Sequence, residues 1–167
     1  MRAAIAKAPP KPRLSFSQMC GFTDKQWLAT EAADTHKYTL FGGARGPGKS
    51  YWLRWYCLRF LLRCAHSGMR NVRVMLASED YPSLRERHIS KIEVEFPAWL
   101  GRYHISSTEF RLHPAYGSGV IAMRNLDDAA KYQSAEFALM AIDEIGKNPE
   151  RTFHIVRGSL RWPGYPA

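Results

Sequence analysis

Gly43-Ala44-Arg45-Gly46-Pro47-Gly48-Lys49-Ser50 is the stretch on which the fold turns. It satisfies G-x-x-x-x-G-K-[ST] in full. It lies between a short β-type run, Lys37-Tyr38-Thr39-Leu40-Phe41, and a long pattern rich in Trp, Leu, Tyr and Phe from about Lys49 to Cys64. A strand that enters a glycine-rich turn and leaves as a helix is the context this motif requires. Glycines let the backbone curl so that successive N–H groups point inward, and the helix N-terminus adds the positive end of its dipole. The expected guest is therefore a phosphate chain. Gly43, Ala44, Arg45, Gly46, Pro47, Gly48, Lys49 and Ser50 are then the loop that holds a nucleotide such as ATP. Lys49 reaches the β and γ phosphates, and Ser50 offers its hydroxyl to Mg²⁺, a cation that takes oxygen ligands.

Outward from the loop, strands and helices alternate as a parallel sheet with crossover helices requires. The helix from about Lys49 to Cys64 is apolar around most of its circumference, with Arg54, Arg59 and Arg63 as exceptions, so burial between the sheet and other elements is expected. Val72-Arg73-Val74-Met75-Leu76-Ala77 reads as a second strand. A helix then opens at Tyr81-Pro82-Ser83 and ends at the Phe96-Pro97 step. Residues from about His104 to Leu112 and from Gly119 to Arg124 flank Pro114-Ala115-Tyr116-Gly117-Ser118, a turn-rich segment that predicts a hairpin or an antiparallel pair. Phe137-Ala138-Leu139-Met140-Ala141-Ile142 is a continuous apolar run, expected of a central strand covered on both faces. Asn148-Pro149-Glu150 opens a last helix toward Arg161.

Asp143 and Glu144 terminate that apolar run, 94 positions beyond Lys49. Two acids at the carboxyl end of a strand, paired with a phosphate loop, supply what triphosphate hydrolysis needs. Asp143 holds Mg²⁺, and Glu144 orients and deprotonates the attacking water. The expected fold class is α/β: a P-loop NTPase with a mostly parallel sheet flanked by helices. It is of the motor type, because Glu stands beside the Asp.

Composition bounds the rest. The 167 residues make one domain by size, and a hydrophobic share of 46% supports a core. Lys and Arg outnumber Asp and Glu by 24 to 15, a net charge of +9 that favours a polyanionic partner, nucleic acid first. Cys20, Cys57 and Cys64 lack the paired spacing of a zinc site or a disulfide framework; they read as small core residues of a protein in a reducing cytosol. No apolar run is long enough for a transmembrane helix. The first residues carry Arg2, Lys7, Lys11 and Arg13 without an acid and are read, to residue 20, as a flexible basic tail preceding an ATPase domain over residues 21–167.

Lys131-Tyr132-Gln133-Ser134-Ala135-Glu136-Phe137, leading into Leu139-Met140-Ala141-Ile142-Asp143-Glu144, resembles the step before the acidic strand in the large terminase subunits that package viral DNA. Phe22-Thr23-Asp24-Lys25-Gln26 is similar to the segment in which that family uses a Gln to read adenine, a role that suits an amide able to donate and accept at once. Tyr81-Pro82-Ser83-Leu84 also looks like the family pattern, although Ser78 stands where the family often has an Arg. Arg45 matches a basic residue that senses or stabilises the γ-phosphate, and Arg157 and Arg161 resemble arginines that reach a neighbouring subunit.

The resemblance implies a cytoplasmic ATP- and Mg²⁺-dependent ATPase with double-stranded DNA, a portal and a small terminase subunit as partners, and a homo-oligomeric ring. In that family further strands, a coupling segment and an acidic nuclease domain follow, so the expectation here is a truncated ATPase domain without the nuclease. A helicase- or recombinase-like ATPase and a non-catalytic nucleotide-binding remnant stay open as alternatives.

Overall fold

Local signals set several of the helix ends among the described residues. Ser15 and Thr23 each accept a hydrogen bond from the backbone three residues on, and Gln18 and Gln26 bond back to the caps. These two capping boxes open α1 (Phe16–Cys20) and α2 (Asp24–Thr35). Helix α3 (Lys49–His66) begins at Gly48, and Arg63 and His66 occupy its last turn, where cations complement the helix dipole. Asp80 caps α4 (Tyr81–Leu84); a π-helical turn over Arg85–Ile89 follows, and α5 (Ser90–Glu95) stops at Phe96 before Pro97. A final helix, α6, spans Glu150–Arg157. The computed structural model describes residues 15–43, 46 and 48–164. Ala44, Arg45 and Pro47 of the phosphate loop, and most of the basic N-terminal segment, lie outside the described residues. Within residues 1–20, α1 is helical and Cys20 is buried.

The five strands are β1 (Arg73–Ser78), β2 (Gly101–His104), β3 (Glu109–Leu112), β4 (Val120–Asn125) and β5 (Leu139–Ile142), in the order β2-β3-β4-β1-β5. β1 runs parallel to β4 and β5, while β3 is antiparallel to both β2 and β4. The sheet is mixed, which corrects the expectation of a mostly parallel one. The expected antiparallel pair is β3 with β4, and the chain reverses once more between β2 and β3. That hairpin demands close backbone approach at Gly101, where an added Cβ would press on the Arg111 carbonyl oxygen and lie 2.8 Å from the Phe110 ring. Gly101→Ala is expected to destabilise the fold by about 1–3 kcal/mol through overpacking, read as a lower urea midpoint at unchanged slope.

Two further expectations are corrected at the far edge. Lys37–Phe41 is not a strand: it has no ladder partner among the described residues, and Leu40 is exposed. β5 is an edge strand rather than a central one. Its outer side opens on a cleft of about 940 Å³ whose opposite wall includes Tyr38, Leu40 and Phe41. The Lys37–Phe41 run is exposed over residues 37–40, so water can satisfy its backbone groups and burial does not force it into the ladder. The last helix is also shorter than expected. It ends at Arg157, so Arg161 does not share a helical face with it; Arg161 instead pairs with Glu136 at 3.5 Å.

The core forms where α3 lies across the sheet. Trp52, Trp55, Tyr56, Cys57, Leu58, Phe60, Leu61 and Cys64 are buried, as the all-round apolar pattern required. Edge-to-face rings carry the packing from α1 to β3, through Phe16 on Trp55, Trp55 on Phe96 and Phe96 on Phe110. All three cysteines are buried free thiols, and burial pushes the Cys57 thiol up to about 12, so none of them is poised for thiolate chemistry. No helix among the described residues is long and apolar enough to cross a membrane.

Candidate active site

The fold brings two distant pieces of sequence to one point. Ser50, in the first turn of α3, donates its hydroxyl hydrogen to Oδ2 of Asp143 at 2.6 Å, across a separation of 93 residues. α3 packs on β1 and β5, which fixes its N-terminus at the carboxyl end of the parallel strands. This is where open α/β sheets bind ligands.

Around the loop, Gly43, Gly46 and Gly48 all have positive φ, at 126°, 102° and 71°. Residues with a Cβ rarely adopt that backbone, and it turns successive amides toward a common centre. Lys49 Nζ donates to the Gly43 carbonyl at 3.0 Å, drawing the ammonium back over the loop. Gly48 is held from behind: Gln26 Nε2 donates to its carbonyl at 3.0 Å, while Gln26 Oε1 accepts from the Thr23 amide at 2.9 Å. Gln26 is buried, and both ends of its amide are used by main chain. Gln26 thus ties the start of α2 to the carbonyl of Gly48.

Asp143 is buried and accepts a second hydrogen bond, from Nε2 of His88 at 3.1 Å. Burial pushes its carboxyl up, but the bonds from His88 and Ser50 outweigh that and hold it below the usual carboxylate range. An ionised carboxylate beside a hydroxyl is a hard oxygen pair, which suits Mg²⁺. His88 is itself driven toward the neutral form, burial outweighing the raising effect of Asp143.

Glu144 adopts the left-handed conformation at φ 51°, turning its side chain away from the strand. Its carboxylate meets Arg87 at 3.3 Å and also contacts the Lys147 ammonium. The same two cations hold Glu79, Lys147 at 2.9 Å and Arg87 at 3.4 Å. The four side chains make a mixed-charge cluster at the rim of the site. Burial raises Glu79, but hydrogen bonds from Lys147 and Ser83 and the Arg87 charge bring it below its ordinary value.

Of the residues singled out from sequence, Gly43, Gly46, Gly48, Lys49, Ser50, Asp143 and Glu144 converge at this end of the sheet, with Gln26 behind them. Ala44, Arg45 and Pro47 are outside the described residues. Sequence reading missed Glu79, Arg87, His88 and Lys147. Arg85-Glu86-Arg87-His88 has the composition of a solvated helix face, and periodicity does not reveal a π turn that rotates two of these residues inward.

No family model matches the sequence, nor does any curated protein. Two solved structures are similar in fold, both of the large terminase from a thermophilic bacteriophage. One matches with a TM-score of 0.65 and 15% identity, covering 86% of this chain and 37% of that one. The other, in complex with ATP-γ-S, matches with a TM-score of 0.62 and 14% identity, covering 86% of this chain and 36% of that one. This chain spans little more than a third of the length of the terminase it matches, and over that span it resembles the large terminase in fold.

Proposed function

We propose that this chain is the nucleotide-binding part of a terminase-like motor, which binds ATP with Mg²⁺ and hydrolyses it to drive double-stranded DNA into a viral capsid. The observation that carries this reading is the 2.6 Å contact between Ser50 and Asp143, which joins the phosphate loop to the strand-end acids. The fold likeness to a terminase solved with ATP-γ-S supports it independently.

Residues Gly43, Ala44, Arg45, Gly46, Pro47, Gly48, Lys49 and Ser50 form the loop that cradles the phosphates through the backbone N–H groups of all but Pro47, which has none, with Lys49 and Arg45 adding positive charge toward the terminal phosphate. Ser50 and Asp143 are the residues that would hold Mg²⁺, which when bound neutralises charge developing on the phosphate oxygens. Glu144 orients the attacking water and takes its proton. Gln26 keeps Gly48 in its left-handed turn. The net charge of +9 is the electrostatic footprint of a DNA partner. A portal, a small terminase subunit and a homo-oligomeric ring are the assembly this reading places around the chain, in the cytoplasm of a host cell.

Lys49→Ala tests it. Affinity for a fluorescent ATP analogue with Mg²⁺ is expected to fall roughly 10- to 100-fold on loss of a charged hydrogen-bond donor. Equal binding by wild type and variant would remove the site assignment.

A further inference from the structure

His88 has no solvent exposure, and nothing in the site assigned from sequence gives it a task. It lies in the π-helical turn Arg85–Ile89, a departure from α geometry that is frequent at functional sites. The wider turn lets two neighbours in sequence both reach the site. Arg87 extends to Glu79 and Glu144, and His88 places Nε2 3.1 Å from Oδ2 of Asp143.

An ionised carboxylate can only accept, so Nε2 carries the hydrogen, and the neutral ring leaves Nδ1 as a lone-pair nitrogen. Nδ1 is buried without a hydrogen-bond partner among the described residues. Burying an imidazole with one nitrogen unpaired is a cost that an apolar residue in the same place would avoid. Ser50 and His88 both donate to Oδ2, and Oδ1 accepts no hydrogen bond among the described residues.

The ring is also braced. Arg54 on α3 donates to the Arg87 carbonyl, just before His88, and forks onto both oxygens of Glu95 at 2.7 and 2.5 Å. The helix that carries Ser50 therefore also fixes the backbone that carries His88. Two donors anchored through α3 converge on one oxygen of Asp143.

We propose that His88 is a positioning residue for the cation site: by donating Nε2–H to Oδ2 it fixes the rotation of the Asp143 carboxylate and leaves Oδ1 free for a divalent cation beside the Ser50 hydroxyl. The inference rests on the reading of Ser50 and Asp143 as the residues that hold that cation. His88 acts through Asp143 and touches neither nucleotide nor metal.

The test is Mn²⁺ binding to the whole chain with ATP-γ-S, followed by the paramagnetic resonance of free Mn²⁺. H88M removes the donor, and H88Q keeps an amide N–H at a similar reach. Loss of the carboxylate's partner is expected to weaken Mn²⁺ roughly 10- to 100-fold in H88M, with nucleotide affinity in EDTA unchanged and most of the metal affinity restored in H88Q. Wild-type Mn²⁺ affinity in H88M, or H88Q as weak as H88M, overturns the proposal.

If H88M does not fold by circular dichroism, H88Q is compared with H88N, whose shorter side chain cannot reach Asp143. A weaker H88N supports the proposal, and equal affinities overturn it. Asp143→Asn separates the two levels of the reading. If it leaves Mn²⁺ binding unchanged, the cation site itself is misplaced and the proposal falls with it. If it weakens binding while H88M does not, the role of His88 alone is lost.

Discussion

Arg54→Met is expected to lower the unfolding free energy by about 3 kcal/mol, the low end of what removing one partner of a buried ion pair costs. The Arg54 side chain is 5% exposed and that of Glu95 18%, so the stranded carboxylate keeps some contact with water, and the cost stays below the upper limit. Three interactions are lost together: the fork onto Glu95, the bond to the Arg87 carbonyl, and the guanidinium over the Tyr51 ring at 5.9 Å. Thermal unfolding should shift down by roughly 6–12 °C for a chain of this size.

Replacing Glu95 by Met in the same chain should recover most of that loss, because a buried ion pair exchanged for packed apolar groups is often neutral. A single variant costing less than about 1 kcal/mol would mark the pair as equivalent to a solvated surface bridge. Since Arg54 also braces the turn ahead of His88, the same variant should loosen the site at a distance. Equally weak Mn²⁺ binding in R54M and in the double variant would assign the effect to the lost brace, whereas recovery in the double variant would assign it to the stranded charge.

Arg54 shows where sequence reading reached its limit. The helix from about Lys49 to Cys64 was legible from its composition, and Arg54 stood out in it as an exception to burial, yet it is buried with its charge paired. Its partners, Glu95 and the Arg87 carbonyl, lie 41 and 33 residues away, and no local pattern links them. The glycine-rich turn into α3 was legible because its signals are local: glycines at fixed offsets and a lysine at the start of a helix. The place of Asp143 and Glu144 at a strand's end was legible because the apolar run stops there.

The antiparallel pair β3–β4 was legible from its turn, but the neighbours of the parallel strands were not. Phe137–Ile142 reads as central because both of its faces are covered, but coverage of faces says nothing about the edge, and here that edge meets a cleft. Lys37–Phe41 has strand composition without a strand's partner. The cluster around Glu144 was out of reach for a further reason. Lys147 follows three residues after Glu144, but Glu79 and Arg87 come from the segment after β1, so opposite charges meet only once β1 and β5 have paired.

Glu144→Gln is expected to reduce ATP hydrolysis by about 10²–10⁴-fold, the contribution of a positioned general base, while leaving nucleotide affinity near the wild-type value. Gln has nearly the shape of Glu and keeps one carbonyl oxygen for Arg87 and Lys147, so the left-handed turn at this position and the rim cluster should persist. It cannot take a proton from water. Binding and turnover are therefore expected to separate: Lys49→Ala weakens nucleotide binding, whereas Glu144→Gln retains the nucleotide unhydrolysed. Single-turnover hydrolysis with radiolabelled ATP, alongside filter binding of the same preparations, measures both. A variant that turns over at the wild-type rate would show that the attacking water is activated by another group. In that case Glu79, held by the same two cations in the same cluster, is the carboxylate to replace next.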